Sequence, residues 1–149
     1  MLRSVVAVAV VASTASVLAL TAGPAEATPV IKVAQVYYNS PGTDTRSNYS
    51  LNGEYVVVKN MTGTARYLTG WTVTDASSHV YKFGTYKLGA YASVRVHTGA
   101  GTNTATNRYQ GRAAYVWNND TDTAYLRSPS GALIHKCYYN NASVAYHNC

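Results

Sequence analysis

Apolar and polar residues alternate in short runs along the chain from residue 30 onward. In the run from Glu54 to Lys59, Val56 and Val58 would share one face, because successive side chains of a strand point to opposite sides. Turn-forming residues separate the runs, and no stretch after residue 30 has the periodicity of an amphipathic helix. The pattern predicts an all-β fold of about eight strands. The predicted strands cover residues 30–38, 54–59, 67–75, 79–83, 91–98, 115–117, 122–127 and 132–139.

Irregularities in this pattern predict where strands bend or end. In the first run the alternation slips by one position, which a β-bulge would allow. The segment Ser128–Gly131 has Pro and Gly at positions that favour a tight hairpin turn. The stretches 39–53 and 99–112 are polar and are predicted to be loops. About eight strands in roughly 110 residues match the size of an immunoglobulin-like β-sandwich.

The first residues have a different pattern, that of a secretory signal peptide. Arg3 precedes an apolar run from Val5 to Leu20, and Ala25–Ala27 supplies a small-x-small cleavage site. The alternative is a membrane-spanning helix, but the apolar run of about 16 residues is shorter than the roughly 20 needed to cross a bilayer. We therefore predict a helical signal peptide at residues 1–27 and a secreted protein that keeps no transmembrane anchor.

The rest of the chain is long enough for one core. We predict a single β-sandwich domain at residues 28–139 and a C-terminal tail at residues 140–149. The two cysteines, Cys137 and Cys149, lie at this end. Two cysteines in an exported chain usually form a disulfide, which here would tie the tail to the domain. A disulfide between two chains and a metal site are the alternatives; the metal site is disfavoured because no paired Cys or His spacing is present.

Composition adds a surface chemistry to the predicted fold. Tyr is abundant, with 14 residues, and suits both strands and binding surfaces because its ring carries a hydrogen-bonding tip. The net charge is +6, and after the signal peptide eleven Lys and Arg residues face five acids. Such an excess favours attachment to polyanions. The cations are Lys32, Arg46, Lys59, Arg66, Lys82, Lys87, Arg95, Arg108, Arg112, Arg127 and Lys136.

The second long loop holds the stretch that we predict to contact a ligand. Arg108, Tyr109 and Arg112 lie there, and loops on a rigid sandwich often carry recognition. A Tyr beside an Arg suits sugars or bases. Cations spread over all strands also serve solubility, so that the binding interpretation and the solubility interpretation both stay open.

Catalytic motifs are missing from the sequence. There is no GxSxG, HExxH or P-loop pattern, and the four His residues lack ligand spacing. His97 is expected to face solvent, because Val96 before it should point inward. Asp120 and Asp122 are weak metal candidates in an oxygen-rich turn that lacks the length, Gly and Glu of an EF-hand loop. A hydrolase site built from Asp44, Glu54 and a His is the rival hypothesis.

Several strings of the sequence, taken in order, resemble the lamin tail domain family. The pattern L-x-G-W-x-V-x-D occurs at Leu68–Asp75, and the resemblance covers about residues 30–139. The chain resembles the exported bacterial branch of the family, since no coiled-coil rod precedes the domain. The other matching strings are Ser50–Asn60, Tyr81–Phe83, Leu88–Ala90, Val94–Val96, Gly99–Thr102, Val116–Asn119, Asp122–Leu126 and Gly131.

The resemblance implies an immunoglobulin-like β-sandwich that acts as a binding unit, sometimes beside secreted nucleases or other hydrolases, and it supplies no catalytic motif. The matching residues would have structural roles. Trp71 would fill the core between the sheets, Gly70 would permit close approach, and Asn60 and Asp75 would cap turns through local hydrogen bonds.

These observations predict a secreted, non-catalytic interaction module without a cofactor. Its expected partner is an anionic extracellular polymer or envelope surface: cell wall, polysaccharide, lipid head groups or DNA. An unknown protein partner is a further alternative. The rival functions are a metal-dependent hydrolase or nuclease, a nuclease-accessory protein, and an envelope protein that self-associates through exposed Tyr-rich edges.

Overall fold

The structure is a computed structural model that describes residues 27–149, so the predicted signal peptide lies outside the described residues except for Ala27. The described part contains eleven strands and one short helix, α1 (Asn48–Asn52). The strands are β1 (Ile31–Tyr37), β2 (Tyr55–Asn60), β3 (Arg66–Tyr67), β4 (Thr72–Thr74), β5 (Val80–Lys82), β6 (Lys87–Leu88), β7 (Ser93–His97), β8 (Asn107–Tyr109), β9 (Thr121–Arg127), β10 (Leu133–Asn140) and β11 (Tyr146–Asn148).

Two main sheets form the body of the domain. One sheet has five strands in the order β11-β1-β2-β7-β8, and the other has four in the order β10-β9-β4-β5. Strands β3 and β6 form a separate two-stranded ribbon. Strand pairs are antiparallel except for β7 and β8, which run parallel. The predicted all-β, immunoglobulin-like sandwich is confirmed.

The core lies between the two main sheets, where the alternation in the sequence predicts it. Val56 and Val58 of β2 are fully buried, as are Ala124 and Leu126 of β9 in the other sheet. Burying an aliphatic side chain contributes about 1.5–3 kcal/mol relative to leaving it in water. The two sheets are therefore held together by the inward-facing residues of strands that are far apart in the chain.

Two local predictions are confirmed. The register between β1 and β2 shifts between Val33 and Gln35, so a bulge at Ala34 accounts for the slip in alternation. The turn between β9 and β10 is closed by a hydrogen bond of 2.9 Å from the Gly131 N–H to the Ser128 carbonyl. Gly131 has φ +85°, a conformation that glycine adopts without strain.

The predicted strand 67–75 is wrong as a continuous element. It is divided into β3 and β4 by a turn in which the Trp71 N–H donates to the Leu68 carbonyl at 2.9 Å. Gly70 has φ +81° in this turn, as the third residue of a type II turn requires.

Trp71 is only partly buried at the edge of the core, so it does not fill the space between the sheets. Trp117 does, with 2% of its surface exposed.

Three further elements differ from the prediction. Residues 115–117 form no strand, because the Val116 and Trp117 N–H groups donate to the Glu54 side chain instead of to a neighbouring strand. The predicted loop 39–53 contains α1, whose first turn is capped by the Ser47 hydroxyl at 3.2 Å from the Ser50 nitrogen. The predicted loop 99–112 contains β8.

The C-terminal tail is tied to the domain as predicted. A disulfide joins Cys137 of β10 to Cys149, which follows β11. Since β10 and β11 belong to different sheets, this bond links the two layers of the sandwich. Within the part of the chain that the structure describes, no helix is long and apolar enough to cross a membrane.

Candidate functional site

The three residues predicted to bind a ligand do not share one surface. Arg108 and Tyr109 are neighbours on β8, so their side chains point to opposite sides of the strand. The Arg108 guanidinium packs over the Tyr86 ring at 4.1 Å from its centroid, and the Tyr109 ring stacks on His97 at 5.0 Å. Arg112 lies farther along, where its side chain donates to the Gln110 side chain at 3.2 Å. Of the three, Tyr109 belongs to the outer face of the five-stranded sheet.

That outer face carries a row of aromatic side chains that crosses all five strands. We call it the tyrosine row. Each strand contributes one ring, and the rings are direct cross-strand partners. The row consists, in spatial order, of Tyr146, Tyr37, Tyr55, His97 and Tyr109.

The geometry of the tyrosine row is a regular stack. The ring centroids of Tyr146 and Tyr37 are 5.8 Å apart, and those of Tyr37 and Tyr55 are 5.2 Å apart. The Tyr55 and His97 centroids are 5.4 Å apart, with the rings tilted by 58°. Three of the four ring pairs are inclined by only 17–21°, so the rings stand beside one another like offset plates.

Local sequence explains why these rings face outward. Tyr37, Tyr55 and His97 each neighbour a valine that is fully buried, namely Val36, Val56 and Val96. Because side chains alternate along a strand, burial of the valine turns the aromatic ring to the outer face. The register between strands then places the rings side by side.

His97 is fixed in the middle of the row and is only half-buried. Its Nδ1 lies 2.9 Å from the Asn52 carbonyl oxygen, and its Nε2 lies 2.8 Å from the Asn107 Oδ1. His97 points to the outer face, as the burial of Val96 predicts, but the end of α1 and strand β8 pack against it and cover part of its surface. These contacts hold the ring in one orientation between Tyr55 and Tyr109.

Cations lie beside the tyrosine row on the same face. The Arg95 guanidinium is 5.1 Å from the centroid of the Tyr55 ring. Lys59 of β2 lies directly opposite Lys32 of β1, so two like charges form a cross-strand pair. An open concavity of about 330 Å³ borders Arg95, between β2, β7 and β8. Its lining residues are Val57, Ser93, Arg95, Thr106 and Asn107.

Glu54 is enclosed in the core, at the start of β2. Its Oε1 accepts hydrogen bonds of 2.8 Å from the Thr98 hydroxyl and from the N–H groups of Val116 and Trp117. Removal from water raises the pKa of Glu54 to about 7, although the three hydrogen bonds favour the charged form. Glu54 therefore joins three segments of chain and does not present its carboxyl group to a substrate.

The other predicted acids do not form an open carboxylate site with Glu54: the charge of Asp44 contributes to the raised pKa of Glu54, but Glu54 itself is fully buried. Asp122 is buried, and its carboxylate accepts hydrogen bonds from the N–H groups of Ala76, Asn118 and Thr123. Asp120 and Asp44 are exposed. Among residues 27–149, no group of three His, Cys, Asp or Glu side chains is arranged to hold a metal ion.

Asp75 and Asn60 cap turns, as expected. The Asp75 Oδ1 accepts the His79 N–H at 2.6 Å, and its other oxygen lies 2.6 Å from the His79 Nδ1. The Asn60 side chain donates to the carbonyls of Thr64 and Gly89 at 2.8 Å. Both side chains are buried and satisfy backbone groups in tight turns.

The tyrosine row cannot be predicted from the sequence alone. The signal was an aromatic residue beside a buried valine in three of the strands, with Tyr109 and Tyr146 in segments that were predicted to be a loop and a tail. The alternation shows that each ring faces outward, but only the pairing of strands shows that the five rings meet.

The model of the Lamin Tail Domain family matches residues 24–141, which is most of the chain. None of the curated proteins matches it.

Proposed function

Because the chain belongs to the lamin tail domain family, whose members are non-catalytic immunoglobulin-like domains, we propose that it is a secreted interaction module that binds an anionic polymer outside the cell. The immunoglobulin-like fold supports a binding role only in general terms, since one fold can carry many functions.

The distribution of charge is the observation that carries the proposal. Glu54, Asp75 and Asp122 are buried, so three of the five acids in the described part are withdrawn from the surface. In residues 27–149 no Lys or Arg side chain pairs with an Asp or Glu, and the close contact of Asp75 is with the imidazole of His79. The surface is therefore more basic than the net charge of +6 suggests.

Unpaired surface cations favour a polyanionic partner on physical grounds. A Lys or Arg side chain that lacks a carboxylate neighbour can neutralise a negative group of the polymer, and each such contact releases a counterion that was condensed on the polymer. The attraction acts over a distance of about 10 Å at moderate salt concentration. Binding should therefore be strong at low salt concentration and weaken as salt is added.

Secretion is the second part of the proposal. Arg3, the apolar run and Ala27 have the order of a signal peptide. The disulfide between Cys137 and Cys149 supports an oxidising compartment. When the full chain is expressed in an exporting bacterial host, we expect the protein in the medium to begin at Thr28, which mass spectrometry of the intact protein would show. Retention of an uncleaved chain in the cells would contradict this part of the proposal.

Binding is tested by retention on immobilised polymers. The full chain would be passed over polygalacturonate, DNA and purified cell wall, with neutral dextran as the control, in buffers from about 50 to about 500 mM NaCl. We expect retention on at least one anionic matrix, loss of retention as salt rises, and no retention on dextran. Failure to bind any anionic matrix at the lowest salt concentration would refute the proposed function.

A further inference from the structure

We propose that the outer face of the five-stranded sheet is the binding site and that its ligand is an acidic polysaccharide. In this arrangement the tyrosine row donates hydrogen bonds to the sugar oxygens, while Arg95 and Lys59 attract the carboxylates of the polymer. This inference rests on the proposed function and specifies its site and ligand class.

The hydroxyl groups of the tyrosine row are free to bind a ligand. Tyr38 and Tyr139, which point into the core, donate to backbone carbonyls at 2.7 and 2.6 Å. The hydroxyls of Tyr37, Tyr55 and Tyr146, by contrast, have no hydrogen-bond partner among the described residues. They extend from rings whose positions are fixed by stacking, so little side-chain entropy is lost when a ligand binds.

The charges of this face complement a carboxylated polymer. Arg95 is exposed, and Lys59 faces Lys32 across the strands, although like charges in direct cross-strand positions destabilise a sheet. The Lys32 Nζ already donates to the Cys149 backbone oxygen at 2.8 Å, so it is beside Lys59 and Arg95 that a carboxylate of the polymer would bind and weaken the repulsion. Asp44 and Asp120, the exposed acids of the described part, lie in segments between strands, and the five strands of this sheet contain no Asp or Glu.

The orientation of the rings favours a sugar over a nucleic acid base. The inner rings of the row cover one another at centroid distances of 5.0–5.8 Å, so their flat faces are already occupied. The Tyr109 ring is also covered, because a Cβ atom at Gly101 would come within 2.5 Å of it. Proteins that bind single-stranded DNA offer free faces of aromatic rings, on which the bases stack. Apart from Tyr146, which is 45% exposed at the edge strand β11, the row presents ring edges and hydroxyl groups to solvent, and these suit the many hydroxyls of a polysaccharide.

The opposite sheet supplies a matched control. On its outer face the Arg127 guanidinium lies 5.7 Å from the centroid of the Tyr125 ring, the same pairing as Arg95 with Tyr55. Tyr125 is isolated there, whereas Tyr55 is stacked in the row. Substitutions at the two pairs change the same chemical groups and the same net charge but on different faces.

The experiment measures binding of the full chain to polygalacturonate by biolayer interferometry, for the variants Tyr55→Phe and Arg95→Gln and for the controls Tyr125→Phe and Arg127→Gln. Tyr55→Phe keeps the ring stack and removes one hydroxyl, so we expect affinity to fall roughly 3-fold. For Arg95→Gln we expect a loss of about 5-fold and a smaller dependence of log Kd on log salt concentration, by about one unit of slope. The controls should change affinity by less than about 2-fold.

Two outcomes would overturn the inference and leave the proposed function intact. One is salt-dependent binding to polygalacturonate that falls equally for the variants of both faces. The other is a higher affinity for single-stranded DNA than for polygalacturonate, with the loss on Tyr55→Phe absent. Thermal unfolding of each variant shows whether the fold is retained, and Tyr37→Phe replaces Tyr55→Phe if that variant is unstable.

Discussion

At the scale of single residues, Glu54 lies where three segments of the chain meet. Its carboxyl group holds Thr98 at the end of β7 and the N–H groups of Val116 and Trp117. A buried N–H without an acceptor costs about 1–3 kcal/mol, so this one side chain replaces the strand partners that residues 115–117 lack. The family motif containing Glu54 therefore has a structural reason that does not require catalysis.

Protonation of Glu54 should make stability depend on pH. Its pKa is raised from 4.5 to about 7 in the folded protein, so the folded state binds more protons than the unfolded state between these values. The contribution to stability is complete below pH 4.5 and is lost as the pH rises through about 7, by up to about 3 kcal/mol.

Glu54→Gln removes the titrating group and keeps an oxygen that can accept the same hydrogen bonds. We expect the difference in free energy of unfolding between the native protein and Glu54→Gln to shrink or reverse between pH 5 and pH 9, as followed by urea denaturation. Burial also lowers the pKa of His135, an effect of opposite sign at acid pH that cancels when the two proteins are compared. A difference that stays constant with pH would contradict the assignment.

At the scale of elements, β11 and its disulfide show how the tail becomes part of the sheet. Tyr146 to Asn148 pair with β1 and complete one end of the tyrosine row. The predicted disulfide between Cys137 and Cys149 is confirmed. Strand β11 itself was not predicted, because three residues are too few to show a pattern of alternation. Strand β8 is also only three residues long. It pairs in parallel with β7, so no hairpin turn between the two strands marks it in the sequence.

Removal of the disulfide should loosen β11 before the rest of the domain. The double variant Cys137→Ser/Cys149→Ser is expected to lose about 2–4 kcal/mol of stability. Amide hydrogen exchange should become faster in residues 146–148, while the amides of β2 and β7 in the middle of the sheet remain protected below global unfolding. Equal loss of protection in β2 and in β11 at low denaturant concentration would show that the tail is not a separate unit.

At the scale of the whole molecule, the fold divides charges unequally between core and surface. It buries Glu54, Asp75 and Asp122 and leaves the cations around the sandwich without Asp or Glu partners within residues 27–149. Such a surface repels itself, which destabilises the compact state. The same surface cations attract a polyanion. The repulsion that lowers stability and the proposed binding therefore both result from the excess of positive charge.

Screening of this repulsion should stabilise the domain. We expect the melting temperature of the full chain to rise by a few degrees between about 50 and about 500 mM NaCl, because the Debye length falls from more than 10 Å to a few Å. Calorimetry at pH 7 would measure the shift. In the variant Lys59→Gln, which removes one member of the Lys32–Lys59 pair, the shift should be smaller, and a fall in melting temperature with salt in the native protein would refute the argument.

Features that depend on neighbouring residues could be predicted from the sequence. The two-residue alternation predicted most strands and their buried valines, the Pro and Gly of Ser128–Gly131 predicted the hairpin turn, and the two cysteines predicted the disulfide. Which side chains meet depends on how distant strands pair and pack. Tyr37 and Tyr146 are 109 positions apart, and their contact depends on the register of β1 with β11. The burial of Glu54 and the turning of Arg108 away from Tyr109 likewise depend on packing between distant strands, because alternation assigns a side chain to a face but not to a partner.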